Sequence, residues 1–213
     1  MVARLGSGVS SAAASCIARP EQTEGPYFVD ERLKRSDIRT DPTDGAVRPG
    51  TKLALGFVVS RLDGAACVPL PGAVVDLWHC DAEGVYSDVN DPRFDTTGKR
   101  FLRGYQVTDA NGAARFITIW PGWYPGRAVH VHFKIRLEPE AKRGFDFTSQ
   151  LYFDDALTDV VYARAPYAAR GQRRLRNGAD GIFRRGGDRL LLAPTSEGNG
   201  DYAAKFEIAL EGL

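Results

Sequence analysis

The sequence predicts an all-β protein: an antiparallel β-sandwich with long loops, an extended N-terminal arm and few short helices. Three observations carry this reading. Apolar residues fall in short runs bounded by turn residues, the pattern of strands rather than of long helices. The 23 glycines and 12 prolines are spread along the chain and supply those turns. The runs are numerous enough for about eight strands, the scale of a two-layer sandwich.

The first run, residues 53–62 (LALGFVVSRL), stops at the turn pair Asp63 and Gly64. Residues 73–80 (AVVDLWHC) begin after Pro71 and Gly72. Residues 105–108 and 114–120 flank Asp109, Ala110, Asn111 and Gly112, a hairpin signal. Residues 130–137 (HVHFKIRL) alternate strictly, and 150–153, 190–193 and 202–210 complete the set. Residues 155–167 offer a turn or two of helix. Residues 17–50 read as an extended polar arm, and 138–147 and 164–189 as loops. The second loop carries Arg170, Arg173, Arg174, Arg176, Arg184, Arg185 and Arg189 against Asp180 and Asp188. Such a charge run reads as a solvated surface or subunit contact, with attraction of an anionic substrate as the sharper alternative.

A chain of 213 residues predicts one domain, set at 17–213, with 1–16 a flexible tail or signal remnant. Lys and Arg total 28 against 27 Asp and Glu, so the excess of cations that nucleic-acid binding needs is absent. No run approaches the roughly 20 apolar residues of a membrane span. Cys16, Cys67 and Cys80 leave at least one thiol unpaired within the chain. One disulfide would suit an oxidising compartment, and the tail favours a secreted or periplasmic protein over a cytoplasmic one. The arm at 17–50 is long enough to reach a neighbouring subunit of a homo-oligomer.

Of three histidines, two form His130-Val131-His132 on a predicted strand. Alternation puts His130, His132, Lys134 and Arg136 on one face, with Val131, Phe133, Ile135 and Leu137 on the core face. Two imidazoles so spaced can chelate one ion, or can be surface or hydrogen-bonded histidines. Six residues before His130, Tyr124 lies in a turn bracketed by Pro121, Gly122, Pro125 and Gly126; Tyr86 lies just past another strand end. Neither cysteines nor a carboxylate accompany the pair, so phenolates are the available anionic ligands. A phenol of ordinary pKa near ~10 loses its proton at neutral pH only to a strong Lewis acid such as trivalent iron. Each tyrosine alone also reads as a core or rim aromatic.

These residues stand in blocks that resemble the intradiol ring-cleavage dioxygenases, the non-haem iron(III) family of protocatechuate and catechol dioxygenases. The blocks are DLWHCDAEGVYS (76–87), RGYQVTDANG (103–112), FITIWPGWY (116–124) and GRAVHVH (126–132), within a likeness running from about 16 to 153. The resemblance implies Fe(3+) held by Tyr86, Tyr124, His130 and His132, with Tyr86 and His130 equatorial and Tyr124 and His132 axial. It implies that Arg127 lies beside the bound ring with Gln150 near it, and that Gly25, Pro26 and Tyr27 wall the substrate pocket. The activity implied is cleavage of a catecholic ring by O2 between its two hydroxyl-bearing carbons, giving cis,cis-muconates. His79 is not a ligand position and reads as structural. The short Tyr124–His130 spacing and the lack of a counterpart to the catechol branch's helical dimerisation region look more like small, often exported, protocatechuate-type members. A competing resemblance, through PGAVV (71–75), TDANG (108–112) and Phe116, is to transthyretin-like β-sandwich binding modules, which are not catalytic. That reading leaves the two tyrosines and two histidines without a purpose. A zinc or copper hydrolase built on the histidine pair lacks a general base beside it.

Overall fold

The apolar runs form strands in the computed structural model, which describes residues 16–138 and 144–213. The expectations for a tail at 1–15 and for loop residues 139–143 lie outside the described residues. In chain order the elements are β1 (Lys52–Asp63), β2 (Ala66–Pro69), β3 (Val74–Trp78), β4 (Asn90–Asp91), β5 (Phe94–Asp95), β6 (Arg103–Val107) and β7 (Ala113–Ile119). They continue with β8 (His130–Arg136), β9 (Asp146–Tyr152), α1 (Asp155–Tyr162), β10 (Thr195–Gly198) and β11 (Asp201–Leu210). Among the described residues no helix is long and apolar enough to cross a membrane.

One sheet runs β10-β11-β1, with β7 and then β2 pairing along the other edge of β1. The second runs β6-β3-β8-β9. Alternation decides what lies between them. Leu53, Leu55, Phe57 and Val59 of β1 are buried, as are Phe206 and Ile208 of β11. Val75 and Leu77 of β3 and Val131, Phe133 and Ile135 of β8 meet them in one core. The Phe57 ring lies 5.4 Å from Phe133 and 5.9 Å from Phe206, so the two sheets interlock there.

Several expectations are corrected. β1 and β11 pair in parallel, from Leu53 opposite Tyr202 to Arg61 opposite Leu210, whereas the other strand pairs are antiparallel. Strands this distant in sequence are free of the hairpin constraint that forces antiparallel order. Residues 190–193 do not form a strand. Leu190 and Leu192 enter the core and Leu191 makes one bridge to Tyr152, so burial rather than pairing explains the run. The pairing is made instead by β10. The arginine-rich loop is not uniformly solvated: it contains three short 3-10 turns, and Arg173 is buried against Asp155 (3.0 Å) and Asp159 (3.1 Å).

The outward face of the second sheet is buried as well, because the arm crosses it. Gln22 N–H donates to Thr148 O (2.9 Å), Ser149 Oγ to Pro20 O (2.7 Å) and Arg35 N–H to Tyr105 O (3.2 Å). Lys134 pairs with Glu24 of the arm. A Cys16–Cys67 disulfide ties the arm's start to β2, while Cys80 is a buried free thiol.

Candidate metal centre

His130 and His132 lie on the arm-covered face of β8. In register, His132 faces Trp78 of β3 and Gln150 of β9, and His130 faces Tyr152. Trp78 stacks on the His132 ring at 5.0 Å. His130 Nδ1–H donates to Ala128 O (2.6 Å); a carbonyl only accepts, which leaves the Nε2 lone pair free. The two Nε2 atoms stand 3.0 Å apart. Burial, and then the charge of Arg127, hold the His130 imidazole at about 3. Burial, and then His130 and Arg127, keep His132 well below its ordinary value. Both rings are therefore neutral at pH 7, the state in which an imidazole can bind a metal.

The tyrosines arrive on two loops pressed backbone to backbone. Asp81 Oδ1 accepts from the N–H groups of Glu83 (2.9 Å) and Val85 (3.0 Å), tightening the turn that leads to Tyr86. Gly122 N–H donates to Asp81 O (2.9 Å), joining the second loop to the first. A Cβ on Gly84 would lie 2.3 Å from Trp123 O, and one on Gly122 2.4 Å from Ala82 O, so only glycine permits this approach. Tyr162 and Tyr167 brace the second loop by donating to Pro121 O and Trp120 O, each at 2.7 Å. The outcome is Tyr86 and Tyr124 with ring centres 5.7 Å apart, and Tyr124 Oη 3.1 Å from His130 Nε2.

Tyr86 is fully buried and its Oη has no hydrogen-bond partner. Burial, and then the neighbouring Tyr124, push its pKa well above 10. Burial raises Tyr124 too, with Arg127 working against it. Without a cation both phenols stay protonated. Among the described residues no group of three His, Cys, Asp or Glu converges, so an ion here would draw its anionic ligands from the phenols. Donor atoms bound at about 2.1 Å and at right angles stand about 3.0 Å apart. The spacings of 3.0 and 3.1 Å and the orphaned Tyr86 Oη fit one such ion held by these four side chains.

Arg127 borders the cluster. Its Nε donates to Asp180 Oδ2 (2.9 Å), its Nη2 to Gln150 Oε1, and Nη1 lies 3.5 Å from His130 Nε2. Gln150 is itself tied to the arm through Thr23 O (2.8 Å). Gly25, at φ +74°, lies against His132, where a Cβ would come 3.3 Å from Cε1. Tyr27 packs on Tyr86 (4.6 Å) and near Tyr124 (6.5 Å), whereas Pro26 is exposed at the turn. A cleft of about 360 Å³, bounded by Trp123, Tyr124, Gly126, Arg127, Arg174 and Leu175, leads to this edge; clefts of this scale take a small ligand. His79 lies elsewhere, with Nδ1 against Cys80 O (2.7 Å) and Nε2 against Thr118 Oγ1 (2.6 Å), which accounts for it structurally.

Sequence reading did not single out three residues near the site as functional. Tyr152 Oη contacts Gln150 Oε1 (3.0 Å), and Asp91 accepts from Tyr27 Oη (2.6 Å). Asp180 holds Arg127. Its only signal was being an acid among arginines.

A family model described as "Dioxygenase" (Dioxygenase_C) matches residues 23–172. The chain is 30% identical over 184 residues to the protocatechuate 3,4-dioxygenase beta chain of Burkholderia cepacia, covering 81% of this chain and 71% of that one. It is 34% identical over 159 residues to a chlorocatechol 1,2-dioxygenase of Pseudomonas putida, of whose length the match spans 52%. Among solved structures, an intradiol ring-cleavage dioxygenase from Tetranychus urticae superposes with a TM-score of 0.80 at 30% identity, covering 93% of this chain and 96% of that one. With a match over most of its length and these four side chains brought together, the chain belongs to the intradiol ring-cleavage dioxygenase family of enzymes.

Proposed function

We propose that this protein is a non-haem iron(III) dioxygenase that cleaves catecholic rings between the two hydroxyl-bearing carbons with O2, giving cis,cis-muconate products. The observation that carries the reading is the approach of Tyr124 Oη (3.1 Å) and His132 Nε2 (3.0 Å) to His130 Nε2, beside the unpartnered Tyr86 Oη. A sandwich serving only as a binding module has no use for that convergence. Iron(III) bound by these four residues would supply the Lewis acidity that deprotonates phenols and activates the bound ring toward O2.

The chain's own groups do the rest. The Nδ1–H of His130 is spent on Ala128 O, which keeps its Nε2 aimed and unprotonated. With iron bound, the Tyr124 phenolate, on a residue that lines the cleft, would be the group to hold a proton given up by an incoming catechol. Arg127 sets a fixed positive charge where negative charge develops on the ring. Gly25 and Tyr27 shape the wall, and the arm over β8 keeps bulk water from the cluster. The Cys16–Cys67 disulfide supports an oxidising compartment.

A visible spectrum of the iron-loaded protein, before and after catechol under anaerobic conditions, tests the proposal. A broad tyrosinate-to-iron(III) band that shifts on addition, and that Tyr124→Phe alters, is expected. A colourless protein after iron reconstitution overturns it.

A further inference from the structure

Of the two acids in the arginine-rich segment, Asp188 is exposed and Asp180 is fully buried. The two carboxylate oxygens of Asp180 serve different parts of the chain. Oδ1 accepts from Ile182 N–H (2.6 Å) and Phe183 N–H (3.2 Å) and so closes the turn that Asp180 begins. Oδ2 accepts from Arg127 Nε (2.9 Å) and Ala128 N–H (2.7 Å), more than fifty residues earlier. Turn capping accounts for Oδ1 alone; the second oxygen is committed to the segment that carries Arg127.

That commitment decides which edge of the guanidinium is free. Nε is taken by Asp180, and Nη2 by Gln150, with Tyr152 Oη 3.4 Å away. Nη1 is left over, and it is the edge 3.5 Å from His130 Nε2. An arginine has several rotatable bonds, so one anchor would leave its planar fork free to pivot. Two anchors, at Nε and Nη2, fix the plane.

We propose that Asp180 is a positioning residue for the ring-cleavage reaction, holding Arg127 so that Nη1 faces the bound catechol. The proposal rests on the dioxygenase reading. It makes the segment after α1 part of the active site rather than a solvated loop. A displacement of about 1 Å in such a group is enough for a ~10²-fold loss of rate.

The test is a double-mutant cycle on the iron-loaded enzyme with Asp180→Ala, Arg127→Ala and the double variant. Its readouts are kcat/KM for catechol cleavage, iron per chain and melting temperature. Asp180→Ala is expected to lower kcat/KM about 10²-fold with iron retained, but less than threefold once Arg127 is already alanine. An equal factor in both backgrounds overturns the proposal, because Asp180 would then act independently of Arg127. Loss of iron together with activity also overturns it. Asp180→Asn covers the case in which alanine fails to fold: its one acceptor oxygen can serve Arg127 or the turn but not both, so it is carried through the same cycle, where a loss of the same factor in both backgrounds is equally fatal. A wild-type protein that binds iron yet cleaves no catechol removes the dioxygenase reading and this proposal with it. An active wild type with an additive cycle removes only the role of Asp180.

Discussion

Gly122→Ala isolates the contact that sets the two tyrosines against each other. The φ of Gly122 lies outside the left-handed region, so alanine meets no conformational barrier and the whole effect is steric. Its Cβ would lie 2.4 Å from Ala82 O and 2.6 Å from Asp81 O, both backbone atoms that no rotamer change can move. Relief to an ordinary contact needs the loops to part by about 1 Å, at an overpacking cost of about 1–3 kcal/mol. Tyr124, two residues on, is 3.1 Å from His130 Nε2; a further ~1 Å takes it well beyond the about 3.0 Å that separates two ligands at right angles on one ion. The expected result is a folded protein with reduced iron per chain, a weakened tyrosinate band and turnover down about 10²-fold. Gly45→Ala is the control: it sits at φ +75° with nothing within 4 Å of a Cβ, so it costs about 1–2 kcal/mol of strain and leaves iron and band intact. If Gly122→Ala retains full iron with an unshifted band, the backbone contact is not what spaces the phenols.

Two further outcomes follow from groups remote from the cluster. Cys67→Ala opens the disulfide across a sequence separation of 51, for which chain entropy gives about 4 kcal/mol; a denaturation midpoint equivalent to under ~1 kcal/mol of loss would show that the arm's hydrogen bonds already hold it. Burial, opposed by the Cys80 carbonyl, brings His79 from 6.5 to about 4. The unfolded chain then binds the proton first, so this contribution is complete above pH 6.5 and is lost as pH falls toward 4, about 3 kcal/mol in all. Because His130 and His132 act in the same direction, a loss of stability between pH 7 and 4.5 that is the same in His79→Gln as in the metal-free wild type would contradict it.

The core was legible because it depends on local alternation. In β8 the period-two pattern assigned Val131, Phe133 and Ile135 to the core and the histidines to the other face without any tertiary knowledge. The parallel pairing of β1 with β11, and the choice of Cys16 with Cys67, join segments far apart in sequence, and no local pattern encodes either. Residues 190–193 misled because a buried loop and a buried strand present the same apolar run.

The site divides along the same line. The His-X-His spacing and the rigid turn at Tyr124 are local, and they raised an ion with phenolate ligands beside the alternative of hydrogen-bonded histidines and rim aromatics. What brings those side chains together is not local. Burial of an outward sheet face requires the arm; contact of the two tyrosine loops requires glycine at both 84 and 122. Retention of Arg127 beside the cluster requires a carboxylate from a segment whose composition reads as solvent-facing charge. An acid among arginines is ordinarily a surface counter-ion, yet Asp180 is the fully buried one. A buried carboxylate is costly unless it is paired and hydrogen-bonded, and four N–H groups satisfy this one. The same desolvation that makes Asp180 expensive to bury makes its hold on Arg127 strong, so the arginine-rich segment and the edge of the cluster fix each other's position.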